Sequence, residues 1–248
     1  MNYENALNFL LYSYFGIDGG VSQLNEEKNH KSIVVLCAHR AYLDLARTVK
    51  YKYTSTKLES MSSKKATDAD QKEADLFQTA KTEVINKICD TILNAVDGDK
   101  IHCCNAEFTD WHRKKCDEII GQMNEATYET EIPENKLMEK DFTYGQAQKW
   151  LNMTLKYLWL LDLLPKDFNS ELLHVPIDSY IIEAAKAKKN DFEYGLEIDN
   201  KLSENSWSTW DNYDEYLKYQ IDIKNEIKDI SPIEWEGKAW IEIAKKHS

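Results

Sequence analysis

The stretch from Tyr144 to Leu164 constrains the fold most. It carries Ala147, Trp150, Leu151, Met153, Leu155, Tyr157, Leu158 and Leu161, so its apolar positions cover most of a helix's circumference. A helix that is apolar nearly all round cannot lie on a surface and belongs at the centre of a domain. Met153 to Leu164, its most apolar part, is too short to span a bilayer and is interrupted by Lys156 and Asp162. The segment is therefore expected to be a central helix, about 143–164, with other helices packed round it.

The rest of the chain supports an all-α fold. With 8 Gly and 4 Pro in 248 residues, a many-stranded sandwich or barrel would lack its turns. Helices are expected over about 4–14, 32–53 and 71–96. In the last of these Leu76, Ala80, Val84, Ile88, Ile92 and Val96 recur every four residues. Thr109 or Asp110 is a good N-cap for a helix running to about 122. A short helix is expected from Pro176–Asp178, and two more over 205–227 and 231–246. The last opens on Ser231-Pro232-Ile233-Glu234, a capping box with Pro at the first helical position. The expectation is about eight helices in one domain over 1–248, with lobes 1–125 and 140–248 as the alternative. The Ser-, Thr- and Lys-rich stretch 54–70 reads as a mobile loop.

Charge and cysteines narrow the class. Lys plus Arg is 31 and Asp plus Glu is 43, a net charge of −12. Such a chain repels a phosphate backbone unless its basic groups are focused in one cleft. Met1–Gly20 lacks the basic start and small-residue cleavage site of a signal peptide. Five irregularly spaced cysteines suggest reduced thiols and a cytoplasmic protein that keeps clear of membranes. His102, Cys103, Cys104, His112 and Cys116 cluster in sequence, but their spacing fits no pair of zinc knuckles, so neither metal nor cofactor is expected.

Chemistry-bearing residues gather in two places. Lys149 and Lys156 lie seven residues apart, about 700° of helical rotation, so both point the same way, with Asn152 expected between them. A Lys-Asn-Lys stripe on a central helix must face a cleft or form a solvated edge. In Leu173-His174-Val175-Pro176-Ile177-Asp178, Asp178 reads as an N-cap, or as a carboxylate held against that stripe. A third feature is Arg40, Asp44 and Arg47 on one helical face, either a solvated face with ion pairs or an anion-binding stripe. Of six tryptophans in the second half, most should be core, with one or two free to stack on a flat ligand.

Gly145-x-x-x-Lys149 heading one helix and Val175-Pro176-Ile177-Asp178 heading the next resemble the helix-hairpin-helix DNA glycosylase superfamily. The long Lys149-to-Asp178 separation is nearest its archaeal 8-oxoguanine branch. The likeness covers about 40 residues, Gly145 to Ala184, and Phe142-Thr143-Tyr144-Gly145-Gln146 replaces the usual Leu-Pro-Gly-Val-Gly hairpin. It implies a base-excision glycosylase and abasic-site lyase working through a lysine Schiff base. Lys149 would be the nucleophile, with Lys156 as fallback, and Asp178 the activating carboxylate. Gln146, Gln148, Trp150, Asn152, Lys156 and His174 are the ligand-binding candidates, and DNA the partner. The competing expectation is a non-enzymatic protein holding a nucleotide or nucleotide-derived signal, as in phage and bacterial conflict. A scaffold whose stripe is mere surface is the third.

Overall fold

The computed structural model describes residues 3–63, 66–97, 105–129, 135–166, 168–227 and 230–248. Among them are ten α-helices: α1 (Tyr3–Phe15), α2 (Gly20–Leu24), α3 (His30–Leu45), α4 (Ser55–Met61), α5 (Asp68–Asp97), α6 (Asn105–Asn124), α7 (Tyr144–Leu160), α8 (Ser179–Lys186), α9 (Tyr213–Glu226) and α10 (Pro232–Lys246). One antiparallel pair of two-residue strands, β1 (Thr127–Tyr128) and β2 (Asn135–Lys136), and the Tyr51–Met138 bridge are the extended pairings. The fold is all-α, and no described helix is long and apolar enough to cross a membrane.

The central helix forms where its apolar pattern demands. Residues 145–155 of α7 are all buried, packed between α3 and α6. Thr143 starts it with a capping box: its hydroxyl accepts from Gln146 N, and the Gln146 side chain accepts from Thr143 N. The helix ends at Leu160, short of the expected 164, and Asp162 turns the chain with φ 56°. Because α3 and α6 from the first half and α8 to α10 from the second share one apolar core with α7, the sequence halves do not separate into independent cores.

Four local expectations change. Segment 54–70 is not all loop: Thr54 accepts from Lys57 N and caps α4, whose Leu58 and Met61 are buried, while α5 starts at Asp68. Thr109 and Asp110 do not cap a helix, because α6 begins four residues before Thr109 and runs through both. The expected helix 205–227 is two 3₁₀ turns, Lys201–Glu204 and Trp207–Thr209, followed by α9, which Asn212 caps. The expected helix 32–53 ends at Leu45, and a 3₁₀ turn, Ala46–Thr48, leads into Tyr51. In each case polar residues good at ending helices stand beside apolar residues that tertiary contact buries, and a local pattern cannot weigh one against the other.

Candidate functional site

Lys149 and Asp178, twenty-nine residues apart in sequence, meet: Lys149 Nζ donates to Asp178 Oδ2 at 2.8 Å. Their side chains are 5% and 18% exposed, so the pair is nearly dry but reachable. Asp178 is also the N-cap of α8, its Oδ1 accepting from Ile181 N at 3.0 Å. One carboxylate thus serves helix and lysine through different oxygens. Burial alone would push its pKa up, but Lys149 and the backbone amides of Ile181 and Tyr180 outweigh it and hold it below the ordinary range.

Two glutamines put Asp178 there. Gln148 donates to Ile177 O (3.1 Å) and accepts from Ile177 N (3.2 Å), while Gln220 donates to Val175 O (2.7 Å) and accepts from Val175 N (2.9 Å). Each side-chain amide pairs with the extended segment as a neighbouring strand would. The backbone groups of the buried residues Val175 and Ile177 are thereby satisfied, and the segment's end is fixed over α7.

The pair borders a half-open cleft of about 610 Å³. Its walls come from four helices and one turn: Tyr14 and Phe15 of α1, Leu43 and Asp44 of α3, Arg47 after it, Met153, Lys156, Tyr157 and Leu160 of α7, and Glu236 and Trp240 of α10. Lys156 donates to Glu236, whose side chain is 1% exposed. Burial raises the Glu236 pKa against the opposing pull of Lys156. Arg40, which does not itself line the cleft, pairs with its lining residue Asp44 at 3.0 Å and lies over the Tyr14 ring, and Tyr157 donates to Asp44. The stripe Arg40–Asp44–Arg47 is therefore split: Arg40 is paired, and Arg47 is exposed on the cleft.

Of the other sequence candidates, Lys156 lines this cleft and the rest are not brought to it. Gln146 is tied to Thr143 and Thr48, and Trp150 is fully buried, donating to Ala38 O at 2.8 Å. Asn152 turns to the other side of α7. Its Oδ1 accepts from His112 Nε2 at 2.8 Å, and its Nδ2 donates to Gln148 Oε1 and Tyr216 Oη. Tyr216 Oη is in turn hydrogen-bonded with His174 Nδ1 at 3.0 Å, and His174 lines a separate cavity of about 420 Å³ with Phe108 and Gln220. The stripe therefore consists of Lys149, Met153, Lys156 and Leu160, and Asn152 falls outside it because it is rotated about 60° from Lys149. Lys156, the fallback nucleophile, is held by Glu236.

Sequence reasoning missed Glu236 and Trp240. Their signal was there: Glu236 stands with Ile233, Ala239 and Ile243 at helical spacing, a carboxylate in an apolar stripe. Of the six tryptophans, Trp150, Trp207, Trp210 and Trp235 are buried and Trp159 is half-buried, whereas Trp240 is 40% exposed at the cleft. His102, Cys103 and Cys104 lie outside the described residues. His112 and Cys116 are buried within 3.8 Å of each other, and among the described residues no group of three or more potential ligands could hold a metal ion.

Buried His112 and half-buried His174 predict acid sensitivity. Burial lowers both pKa values, to about 4 for His112 and well below the ordinary value for His174. With an unfolded value near 6.5, the unfolded chain binds more protons below that pH. His112 alone should cost about 3 kcal/mol of stability as pH falls from 6.5 to 4, and nothing above 6.5. Urea unfolding at pH 7 and pH 4.5 measures this, and His112→Gln should flatten the dependence. An equally steep dependence in the variant would refute it.

No known family, curated protein or solved structure matches this chain.

Proposed function

We propose that the cleft binds a nucleobase-bearing ligand and that Lys149 and Asp178 cleave its C1′–N bond by glycosylase-type chemistry. The observation that carries this reading is the Lys149–Asp178 contact bordering an open cleft. A lysine becomes a nucleophile only after losing a proton, and a carboxylate at 2.8 Å can accept it. The amine then bonds to C1′ as the C1′–N bond breaks. The electron pair leaves with the base, which takes the proton from Asp178. The developing oxocarbenium charge lies beside Asp178, whose backbone donors keep it in place. Opening of the sugar ring moves one proton from the Lys149 nitrogen to O4′ and leaves an iminium, which water hydrolyses or borohydride reduces.

The test is borohydride trapping on DNA carrying an abasic site or 8-oxoguanine. A covalent adduct is expected, lost completely in Lys149→Ala and reduced at least about a hundredfold in Asp178→Asn. An adduct that persists in Lys149→Ala but disappears in Lys156→Ala would transfer the role to Lys156, and no adduct would end the covalent reading.

A second reading, binding without catalysis, is favoured by the charge balance of the cleft. Lys149, Lys156 and Arg40 each donate to a carboxylate, so each of these charges is already answered within the protein. Nucleotide binding by calorimetry with no bond cleavage would establish it.

A further inference from the structure

We propose that the ligand of this cleft is a single nucleotide unit with one phosphate, its phosphate on Arg47 and its base against Trp240. This rests on the reading above that the cleft takes a nucleobase, and it specifies how much of a nucleic acid can be held there.

Charge comes first. The cleft is lined by three cations, Lys149, Lys156 and Arg47, and a fourth, Arg40, pairs with its lining residue Asp44. Three are answered, by Asp178, Glu236 and Asp44. Arg47 makes no ion pair or hydrogen bond among the described residues, and its side chain is exposed at the cleft's edge. A protein that tracks a nucleic-acid backbone typically makes about 6–10 phosphate contacts with uncompensated Lys and Arg. Here one guanidinium is uncommitted. A guanidinium matches one phosphate group bidentately, so one phosphate is what the cleft can neutralise.

Shape and surface chemistry agree. About 610 Å³ is the scale of a small-molecule cleft, not of a groove for a double helix. Trp240 presents a half-exposed indole to the cleft, a stacking surface that accepts any base. Lys149 and Asp178 lie on the same cleft, where a sugar joining base to phosphate would sit. Gly145 N, which a glycosylase-like hairpin would turn to a strand phosphate, instead donates to Trp210 O at 2.8 Å. That amide is therefore not free for a phosphate.

The nucleotide could be free or extruded from a single strand, and calorimetry on the full chain separates these. The probes are the nucleoside 5′-monophosphates, the matching nucleosides, the single strand dT8 and a duplex of equal length. At least one monophosphate should bind about tenfold or more tightly than its nucleoside. Arg47→Gln should erase that difference, and Arg47→Lys should restore part of it. Lys57→Gln, at an exposed site on α4, should leave it unchanged. If dT8 binds with the same Arg47 dependence and the monophosphates do not, the source is a strand and the single-phosphate site stands. No nucleotide binding, equal binding of nucleoside and monophosphate, or duplex binding with a steep salt dependence indifferent to Arg47 would each overturn the proposal. The two readings fail separately. Arg47-dependent binding without a borohydride adduct removes the bond-cleaving reading and keeps this one. An adduct insensitive to Arg47→Gln does the reverse.

Discussion

Replacing Gly145 by alanine should destabilise the protein by about 3 kcal/mol or more, and lower its melting temperature by roughly 10 °C. A Cβ built at this position would lie 1.8 Å from the carbonyl oxygen of Trp207 and 2.9 Å from its carbonyl carbon. Both are backbone atoms, so no rotamer change can relieve the overlap. The turn Trp207–Thr209 lies directly on the first turn of α7. There Gly145 N donates to Trp210 O (2.8 Å) and the Thr143 hydroxyl donates to Ser208 O (2.9 Å). Making room for one methyl group means lifting that turn and loosening both bonds, which adds to the cost of overpacking. Thermal and urea unfolding monitored by tryptophan fluorescence measure it, since Trp207 and Trp210 are buried in the affected region. A loss below about 1 kcal/mol would show that the turn does not depend on this approach. The glycine is needed for closeness, not for a left-handed backbone, because its φ is not among the positive ones.

Lys156→Met should cost about 3–5 kcal/mol, because it leaves Glu236 buried without its cation. The energy lies in the stranded carboxylate and not in the pair. The double variant Lys156→Met with Glu236→Leu should therefore recover most of the loss, as a buried ion pair replaced by apolar groups often does. Lys149→Met should cost less than Lys156→Met, although its contact is equally direct. Asp178 keeps the amide of Ile181 and is 18% exposed, whereas Glu236 is 1% exposed. Chemical denaturation of the four proteins at pH 7 tests this ordering. Equal losses from the two single variants, or a double variant no better than Lys156→Met alone, would overturn it. The ordering also serves the trapping experiment, because a folded Lys149 variant makes a missing adduct a statement about chemistry.

The α7 core and the start of α10 were legible because their causes are local. An apolar run with helical spacing has one place to go, and Ser231 and Glu234 sit one turn apart wherever the rest of the chain lies. The turn segments were less legible. Leu58 and Met61 are buried in a stretch otherwise rich in Ser, Thr and Lys, and only contact with the rest of the fold makes α4 worth forming. The candidate site divides the same way. Lys149 and Asp178 could be picked out because each stands at a helix position with a chemical reason of its own. Gln148 and Asn152 looked like ligand-binding residues, since a polar side chain on an apolar helix signals either a cleft or a buried network. They belong to the network, tied to Ile177, His112 and Tyr216.

By itself the sequence determined the fold class and the central helix, which follow from composition and from spacing within about one or two helical turns. It offered Lys149 or Lys156 as the lysine facing Asp178, with Lys149 preferred only through the glycosylase resemblance. Only the tertiary structure decided that Glu236, Trp240 and Arg47 share a cleft with them, and that Arg47 alone of its cations has no partner among the described residues. The reason is geometric: Arg47, Lys149, Asp178 and the pair Glu236 and Trp240 come from four elements far apart in sequence. Which charge is answered depends on distances of a few ångströms that packing sets and no local spacing encodes.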